Sequence, residues 1–366
     1  MGILVTALAL ILGYGTAYVA SDDVRYLTRA GIEETAILRK RQPLEMLVTD
    51  VKVPADTRAY LRLVLEVRAH AVELGLEAGK TFTTYSDIGR DTLLLVLSAS
   101  PKNCICPYTW KYPIVGRVPY KGFFDVARAR QAADQMAAKG YDTSLRPAAA
   151  YSTLGWFEDP LLSTAMVKDS VELAGLVFHE IAHNSLYVKS ATPFNESFAQ
   201  LVGYRAAEEF FHSRGDTVLA NRARDRWQDE IVLGEFYDQL LDRLETFYAG
   251  KPVGDSLEAG RVAIGRWARE QLEGPFGARL LTVRVGRLAE RAINNAALVG
   301  VRIYRTHLDW FDRWYVAHDS SVKASVAALR QLMRGAPGDS AFARLERALR
   351  DSIPGGILEP PGPPAP

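Results

Sequence analysis

The feature that most constrains this chain is a His-Glu-x-x-His pattern at 179–183, written His179-Glu180-Ile181-Ala182-His183. Residues four apart lie on one face of an α-helix, so the pattern places both imidazoles together only if the segment is helical. Two imidazoles so placed can bind one Zn²⁺, and the intervening Glu180 can reach a metal-bound water as a general base. The alternative is that the two histidines lie on a helix without binding a metal.

The sequence around the pattern favours a helix. Asp169 followed by Glu172 three residues later is typical of a capping box at a helix N-terminus. Apolar residues recur at helical spacing behind it: Val171, Ala174, Val177, Phe178 and Ile181.

A zinc peptidase site needs a third protein ligand and one open position. The next histidine, His212, is too far along the chain to complete a three-histidine site. Instead Thr192 and Pro193 predict the cap and first residue of a second helix that carries Glu196, after a turn at Lys189–Thr192. Antiparallel packing of the two helices would bring Glu196 back to the histidine pair. We therefore predict one Zn²⁺ per chain, held by His179, His183 and Glu196.

Other acidic and polar residues near the pattern are weaker candidates. Glu172 shares the face of His179 but lies about 10 Å away along the axis, too far to bind the same ion. Glu208 and Glu209 are predicted to form a solvated face. Gln200 could hold a ligand histidine by its second nitrogen, or could be an exposed polar residue.

Composition excludes several classes of protein. The chain of 366 residues is 48% apolar, enough to bury a large core, and its 44 Lys+Arg against 43 Asp+Glu argue against a nucleic-acid binder. Two cysteines, Cys104 and Cys106, exclude a disulfide scaffold. One residue apart on a strand, they face the same way, near the upper limit of bridging distance, so we expect two thiols rather than a strained bridge.

The N-terminal segment 1–21 predicts a membrane anchor or a signal segment. No residue from Gly2 to Ser21 is charged, and about twenty helical residues can span a bilayer core. The alternative is a buried N-terminal core helix. Basic residues follow the segment, so its orientation stays open.

The remaining chain predicts a helix-rich α+β fold with one small sheet. Residues 22–80 favour helix, 81–157 favour strands and turns, and helix dominates from Thr164 to Leu349. Within 81–157 we expect the following: a strand at Leu93–Val96, a looped hairpin at Tyr112–Phe124, a helix at Val126–Lys139 and an extended run at Leu145–Trp156. The tail 351–366 is rich in Pro and Gly and predicts disorder.

Several motifs in combination resemble the bacterial predicted-aminopeptidase family, zincin-fold HExxH metallopeptidases of gluzincin type. The likeness covers about residues 24–330 and rests on these segments: Tyr26-Leu27 through Arg39, Pro113–Gly116, Pro119–Phe124, Tyr151–Phe157, Asp159–Leu162, Phe178–His183, Phe194–Ala199 and Asn294–Ala296. The resemblance implies one zincin-like peptidase domain over 22–350. Its sheet-containing part would be about 81–157, its active-site helices about 164–213 and its helical C-terminal part about 214–350.

The resemblance also implies roles outside the metal site. Zincins place an edge strand before the active-site helix, here about Ala148–Trp156, to which a peptide substrate adds as an extra strand. Its substrate-binding residues would be Tyr151, Ser152, Thr153, Leu154 and Gly155, although an ordinary core strand accounts for the aromatic residues equally well. Tyr304, or less favourably His307, is the candidate that stabilises the oxyanion. Asn294 and Asn295 either bind substrate termini or stabilise helix packing.

The function predicted is a zinc-dependent peptidase, in particular an aminopeptidase, of the bacterial cell envelope. A zinc-activated water would attack the peptide bond, and Glu180 would take its proton. The expected partners are a peptide substrate and, through residues 1–21, a membrane, with no nucleic acid. The alternative is a non-catalytic envelope protein that uses a structural zinc site to bind a partner. An intact Glu180 argues against it, because a structural site needs no base.

Overall fold

The computed structural model describes residues 2–112, 116–148 and 160–352. Helices make up most of this part, and short strands interrupt them mainly between residues 84 and 148. In chain order the helices are α1 (Gly2–Ala20), α2 (Asp22–Arg39), α3 (Leu44–Leu47), α4 (Ala55–Glu73), α5 (Val126–Ala138), α6 (Ser170–Ser185), α7 (Thr192–Ser213), α8 (Thr217–Ala249), α9 (Gly254–Glu273), α10 (Gly286–Ala289), α11 (Asn295–Tyr304), α12 (Leu308–Ala317), α13 (Val322–Leu332) and α14 (Ala341–Ser352).

The described strands form three small sheets rather than the one predicted. They are β1 (Gln42–Pro43), β2 (Thr84–Ser86), β3 (Leu94–Pro101), β4 (Trp110–Tyr112), β5 (Gly116–Val118), β6 (Lys121–Phe123), β7 (Tyr141–Ala148) and β8 (Leu161–Leu162). The longest pair is β3 with β7, antiparallel from Leu94 opposite Ala148 to Pro101 opposite Tyr141. In that sheet the order is β6-β3-β7, so β7 is an edge strand within the described residues. Pro147 fits this place, because proline has no backbone N–H to donate to a neighbouring strand and is tolerated on an edge.

Helices α6 and α7 lie at the centre of the main hydrophobic core. Helix α6 packs against α4, α7 and α8, and α7 in addition against α11, α12 and α13. The largest fully buried side chains of this core come from several of these helices: Phe178, Phe194, Phe198, Trp227 and Phe311. Burial on most sides explains why α7, unlike a surface helix, shows no single apolar stripe in the sequence.

The sequence predicted several elements correctly. The helix expected at Val126–Lys139 is α5. The hairpin expected at Tyr112–Phe124 is only partly right: the antiparallel pair β4 and β5 covers Trp110–Val118, and the last part of the predicted hairpin, β6, pairs with β3 instead. The run at Leu93–Val96 is the first half of β3, while β7 begins four residues before Leu145. This arrangement is compatible with an α+β fold, and the zincin-like fold stays a prediction. The tail from residue 353 lies outside the described residues.

The N-terminal helices α1 and α2 pack against each other. Helix α1 contains no acidic residue in its first turn and no basic residue in its last. Among the residues that the structure describes, no helix combines the length and hydropathy needed to cross a membrane.

Two further expectations were wrong. Thr192 does not cap α7, because the helix already includes it; Ala191 is the N-cap residue, and Pro193 stands at the second position. Cys104 and Cys106 are joined as a disulfide, with Cα atoms 5.4 Å apart, rather than remaining two thiols. They lie in the irregular segment that follows β3 rather than on a strand, and their backbone brings the two side chains within bridging range.

Candidate metal centre

Local signals begin α6 where the sequence predicted. The Asp169 carboxylate accepts hydrogen bonds from the backbone N–H groups of Val171 (3.0 Å) and Glu172 (3.2 Å). The Glu172 side chain does not complete a capping box but forms an ion pair with Arg226 at 3.2 Å. The cap fixes the start of α6, and the apolar residues behind it turn the face with His179 and His183 toward α7.

The turn between α6 and α7 is held by the residue next to Glu196. The Asn195 side chain is buried and bonds both backbone groups of Val188: its Oδ1 accepts from the N–H (2.9 Å) and its Nδ2 donates to the carbonyl (2.8 Å). On the other side, Ser197 Oγ donates to the carbonyl oxygen of Thr306 at 2.8 Å. Glu196 thus lies between two fixed residues at the start of α7.

Two glycines allow the helices to approach closely. A Cβ atom added to Gly203 would lie 2.9 Å from the carbonyl oxygen of Gly175 and 3.4 Å from the Cβ of His179. Any larger residue would force α6 and α7 apart, since real Cβ atoms do not come so near a backbone oxygen. The separation of His179 from Glu196 therefore depends on this glycine pair.

The three predicted ligands come together. His179 Nε2 lies 3.3 Å from His183 Nε2 and 3.3 Å from Glu196 Oε2, and His183 Nε2 lies 3.7 Å from that same oxygen. Two ligand atoms about 2.0–2.1 Å from a tetrahedral zinc ion would be about 3.4 Å apart, so the triangle has the size that zinc requires. Two nitrogens and a carboxylate oxygen are also the donors that zinc prefers. The residues therefore fit a zinc ion.

The electrostatics favour a neutral imidazole at this place. The pKa of His183 is lowered to about 4, chiefly by burial and then by the neighbouring His179, against an opposing effect of Glu196. At neutral pH the His183 ring is thus uncharged, and its lone pair is available to a cation. The side chains of His179, His183 and Glu196 are 15%, 24% and 17% exposed, so a ligand can reach the cluster from solvent.

Tyr304, at the end of α11, is near the same cluster. The pKa of its hydroxyl is raised, first by burial and then by the negative charge of Glu196. Glu180 adds a smaller increase, and the positive charge of Arg146 acts in the opposite direction. Both carboxylates therefore lie near enough to the Tyr304 hydroxyl for their charge to act on it. Because the raised pKa keeps the hydroxyl protonated, Tyr304 can donate a hydrogen bond there.

Asn294 and Asn295 stabilise helix packing, the second of their two predicted roles. Asn294 caps α11 by accepting from the N–H of Ala297, and its Nδ2 donates to the carbonyl of Thr143 on β7. Asn295 is fully buried, and its Nδ2 donates to the backbone carbonyls of Pro101, Lys102 and Cys104.

The remaining sequence candidates, His307, Glu208 and Glu209, take part in other contacts. The ring of His307 stacks on Trp310, with centroids 3.9 Å apart, and packs edge-on against Phe342. The prediction that Glu208 and Glu209 form a solvated face was wrong. Both are half-buried: Glu208 pairs with Arg205 at 2.8 Å, and Glu209 accepts from the N–H of Val322 at 2.8 Å.

Two further groups of residues complete the comparison with the sequence. Gln200 is half-buried on α7. Tyr151, Ser152, Thr153, Leu154 and Gly155 lie outside the described residues, as does all of the predicted edge strand except Ala148, the last residue of β7. Sequence analysis missed Arg146, whose charge lowers the pKa of Tyr304, because a single arginine on a strand has no recognisable spacing.

Comparison with known proteins agrees with the motifs. Neither a curated protein nor a solved structure matches the chain. One family model, described as "Putative aminopeptidase", matches residues 25–341 and so spans β1–β8 and the cluster of His179, His183 and Glu196. Since the match covers most of the chain, the protein belongs to this putative aminopeptidase family.

Proposed function

We propose that the chain is a zinc-dependent peptidase, and specifically an aminopeptidase. One observation carries the proposal: His179, His183 and Glu196 form a triangle with sides of 3.3, 3.3 and 3.7 Å, and Glu180 directly follows His179 on the same helix. A structural zinc site typically fills all four positions with protein ligands. Hydrolysis instead requires a position open to water and a base beside it. Here three protein ligands leave one position open, their side chains are partly exposed to solvent, and Glu180 is available as the base.

His179, His183 and Glu196 would hold the ion. A zinc ion bound there would polarise the scissile carbonyl and lower the pKa of the attacking water. Glu180 accepts the proton of that water and returns it to the leaving amine as the C–N bond breaks. Tyr304 donates a hydrogen bond to the carbonyl oxygen of the peptide as negative charge develops on it.

We further propose that the substrate lies along the edge of β7 and the residues that follow it. The free edge of β7, within the described residues, and the contact of α11 with both β7 and α7 support this placement. Backbone hydrogen bonds would then supply most of the affinity, with little preference for particular side chains.

The localisation that we propose, attachment to a bacterial envelope through residues 1–21, rests on the sequence of that segment alone. The full-length chain should sediment with membranes and resist a high-salt wash, whereas a chain starting at Asp22 should not. Full-length protein that stays in the supernatant with residue 1 present would contradict the proposal.

The decisive experiment replaces Glu180 by Gln, which keeps the shape but cannot accept the proton. With small peptides that have a free amino terminus, we expect hydrolysis to fall about 10²–10⁴-fold while zinc content and melting temperature stay parental. The matched control is Glu172→Gln on the same helix, whose side chain is 53% exposed and should leave turnover unchanged.

Two outcomes would contradict the proposal. Near-parental turnover in the Glu180→Gln protein would show that another group is the base. Zinc-loaded parent that cleaves nothing across a broad peptide library would favour the alternative, a protein with a structural zinc site that binds a partner.

A further inference from the structure

The connection between α11 and α12, formed by Arg305, Thr306 and His307, has an unusual backbone conformation. His307 has a φ of 52° and a ψ of 41°, in the left-handed region that residues with a Cβ atom rarely adopt. Such a conformation costs free energy and persists only where the surrounding structure holds it. Part of that hold comes from the ring of His307, which stacks on Trp310 with centroids 3.9 Å apart. The rest must come from the neighbouring helices.

Helices α8 and α7 both hold this connection. On the side of α8, Arg305 Nε lies 2.7 Å from Glu230 Oε2, and Arg305 Nη2 donates to Glu230 Oε1 at 3.1 Å. Gly234 of the same helix lets the backbone come near, since a Cβ atom added there would lie 3.5 Å from the Arg305 carbonyl oxygen. On the side of α7, Ser197 Oγ donates to the Thr306 carbonyl oxygen at 2.8 Å. The acceptor of this last hydrogen bond is therefore fixed from α8.

Ser197 directly follows Glu196 in the second turn of α7 and is fully buried. Consecutive residues of a helix are rotated by about 100°, so Ser197 contacts a different segment from Glu196 but moves with the same turn. On the other side of Glu196, Asn195 binds both backbone groups of Val188. The turn that carries Glu196 is thus tied to the α6–α7 connection by one neighbour and to the α11–α12 connection by the other.

The carboxylate of Glu196 has little else to orient it. Its polar contacts among the described residues are those with His179, at 3.3 Å, and His183, at 3.7 Å. The place of the carboxylate therefore depends on the rotation of its helical turn rather than on a donor that binds it directly. Residues that orient a metal ligand typically contribute about 10–100-fold to metal affinity.

We propose that Ser197 is a positioning residue of the metal centre: its hydrogen bond to the Thr306 carbonyl fixes the rotation of the turn that carries Glu196 and so holds this ligand at the distance from the two histidines that a zinc ion requires. The Arg305–Glu230 ion pair acts through the same hydrogen bond, because it fixes the acceptor. The inference rests on the proposed function and deepens it. It makes zinc affinity depend on a contact between residues 109 positions apart, in segments of which one contains no metal ligand.

The experiment measures metal binding by the full-length protein and does not depend on peptide cleavage. Competition with a chromophoric chelator gives the Kd for Zn²⁺, which we expect to rise about 10–100-fold in Ser197→Ala. Co²⁺ loaded in place of zinc reports the arrangement of the ligands through its visible absorption bands, and these should shift in the same variant. Glu230→Gln should raise the Kd by a smaller factor. In the combined variant the two factors should not multiply, because both changes act on one hydrogen bond.

Ser100→Ala is the matched control for a merely structural role. Ser100 is also fully buried, and its Oγ lies at hydrogen-bond distance from the backbone carbonyl oxygens of Cys104 (2.9 Å) and Cys106 (2.8 Å). Its removal should lower the melting temperature about as much as that of the Ser197 hydroxyl. The Kd for Zn²⁺ and the Co²⁺ spectrum should nevertheless stay parental, since this serine is not tied to a metal ligand.

Three results with a zinc-binding parent would overturn the inference alone. They are a parental Kd and Co²⁺ spectrum in Ser197→Ala, an equal loss of zinc affinity in the two serine variants, and fully multiplicative effects of Ser197→Ala and Glu230→Gln. If Ser197→Ala does not fold, a parental Kd in Glu230→Gln overturns it instead. A parent that binds no zinc would reject the inference and the proposed function together, whereas a zinc-binding parent that cleaves no peptide would reject the proposed function alone.

Discussion

One cluster of polar side chains lies at the start of α11 and another near its end, and they differ in how their hydrogen bonds are satisfied. In the first, Arg261 donates to the Asp142 carboxylate (2.7 Å) and to the carbonyls of Lys102 and Ile293, while Asn295 accepts from the Tyr248 hydroxyl. The side chains of Arg261 and Asp142 are 7% and 9% exposed. No polar side-chain atom of Arg261, Asp142, Asn295 or Tyr248 is buried without a hydrogen-bond partner.

In the second cluster, His179, His183 and Glu196 face mainly one another. A neutral imidazole offers one lone pair and a carboxylate offers only lone pairs, so three acceptors converge on one point. Such an arrangement is favourable only when a cation or shared protons lie among them. The comparison teaches how two buried polar clusters can be told apart. A cluster whose donors match its acceptors stabilises the fold, whereas a cluster in which acceptors meet without donors indicates a ligand site.

The largest expected effect concerns the second cluster. His183→Ala removes one of three ligands, so stoichiometric zinc binding should be lost, as metal analysis after dialysis would show. The matched control, His212→Ala, removes an exposed histidine at the end of α7 and should retain one zinc per chain. Equal zinc in the two variants would mean that the cluster is not a metal site.

The next effect concerns the buried network. Arg261→Met leaves the Asp142 carboxylate without its counter-ion, so we expect the free energy of unfolding to fall by about 3–5 kcal/mol in urea denaturation. Zinc content should not change. Arg266→Met, an exposed arginine on the same helix, should stay within about 0.5 kcal/mol of the parent. If Arg261→Met costs as little as the control, the network is not the structural element described.

A pH series would sharpen the contrast. In the metal-free protein the pKa of His183 is about 4, below its ordinary value of 6.5, so the unfolded chain binds more protons between these values. The free energy of unfolding should therefore fall as the pH decreases from about 6.5 to 4, by up to about 3 kcal/mol. In His183→Gln this part of the pH dependence should disappear. An unchanged slope in that variant would show that another group is responsible.

The smallest effect concerns the approach of α6 and α7. Gly203→Ala places a methyl group against the Gly175 carbonyl, so we expect a loss of about 1–3 kcal/mol in the free energy of unfolding and weaker zinc binding. Gly300→Ala on α11 is the control, because a Cβ there meets nothing within 4 Å. It should stabilise the protein by up to about 1 kcal/mol. Equal zinc affinity in both variants would contradict the dependence of the site on the glycine pair.

The sequence by itself determined the parts of this protein that depend on short-range order. Asp169 begins α6, the spacing of four residues puts His179 and His183 on one face, and the short connection to α7 returns Glu196 to them. Each of these relations spans less than about thirty residues and follows from helix geometry, so a pattern in the sequence carries it.

Only the tertiary structure decided the relations between distant segments. The nearness of Arg146 to Tyr304, the burial of Asn295 against the segment after β3, and the bond of Glu209 to Val322 join residues between about 100 and 190 positions apart. The disulfide differs in that its two cysteines are only two positions apart, and the local backbone conformation after β3 brings them together. A side chain whose partner is distant in the sequence does not contribute to a helical or strand periodicity. Its role can therefore be recognised only when packing brings the two segments together.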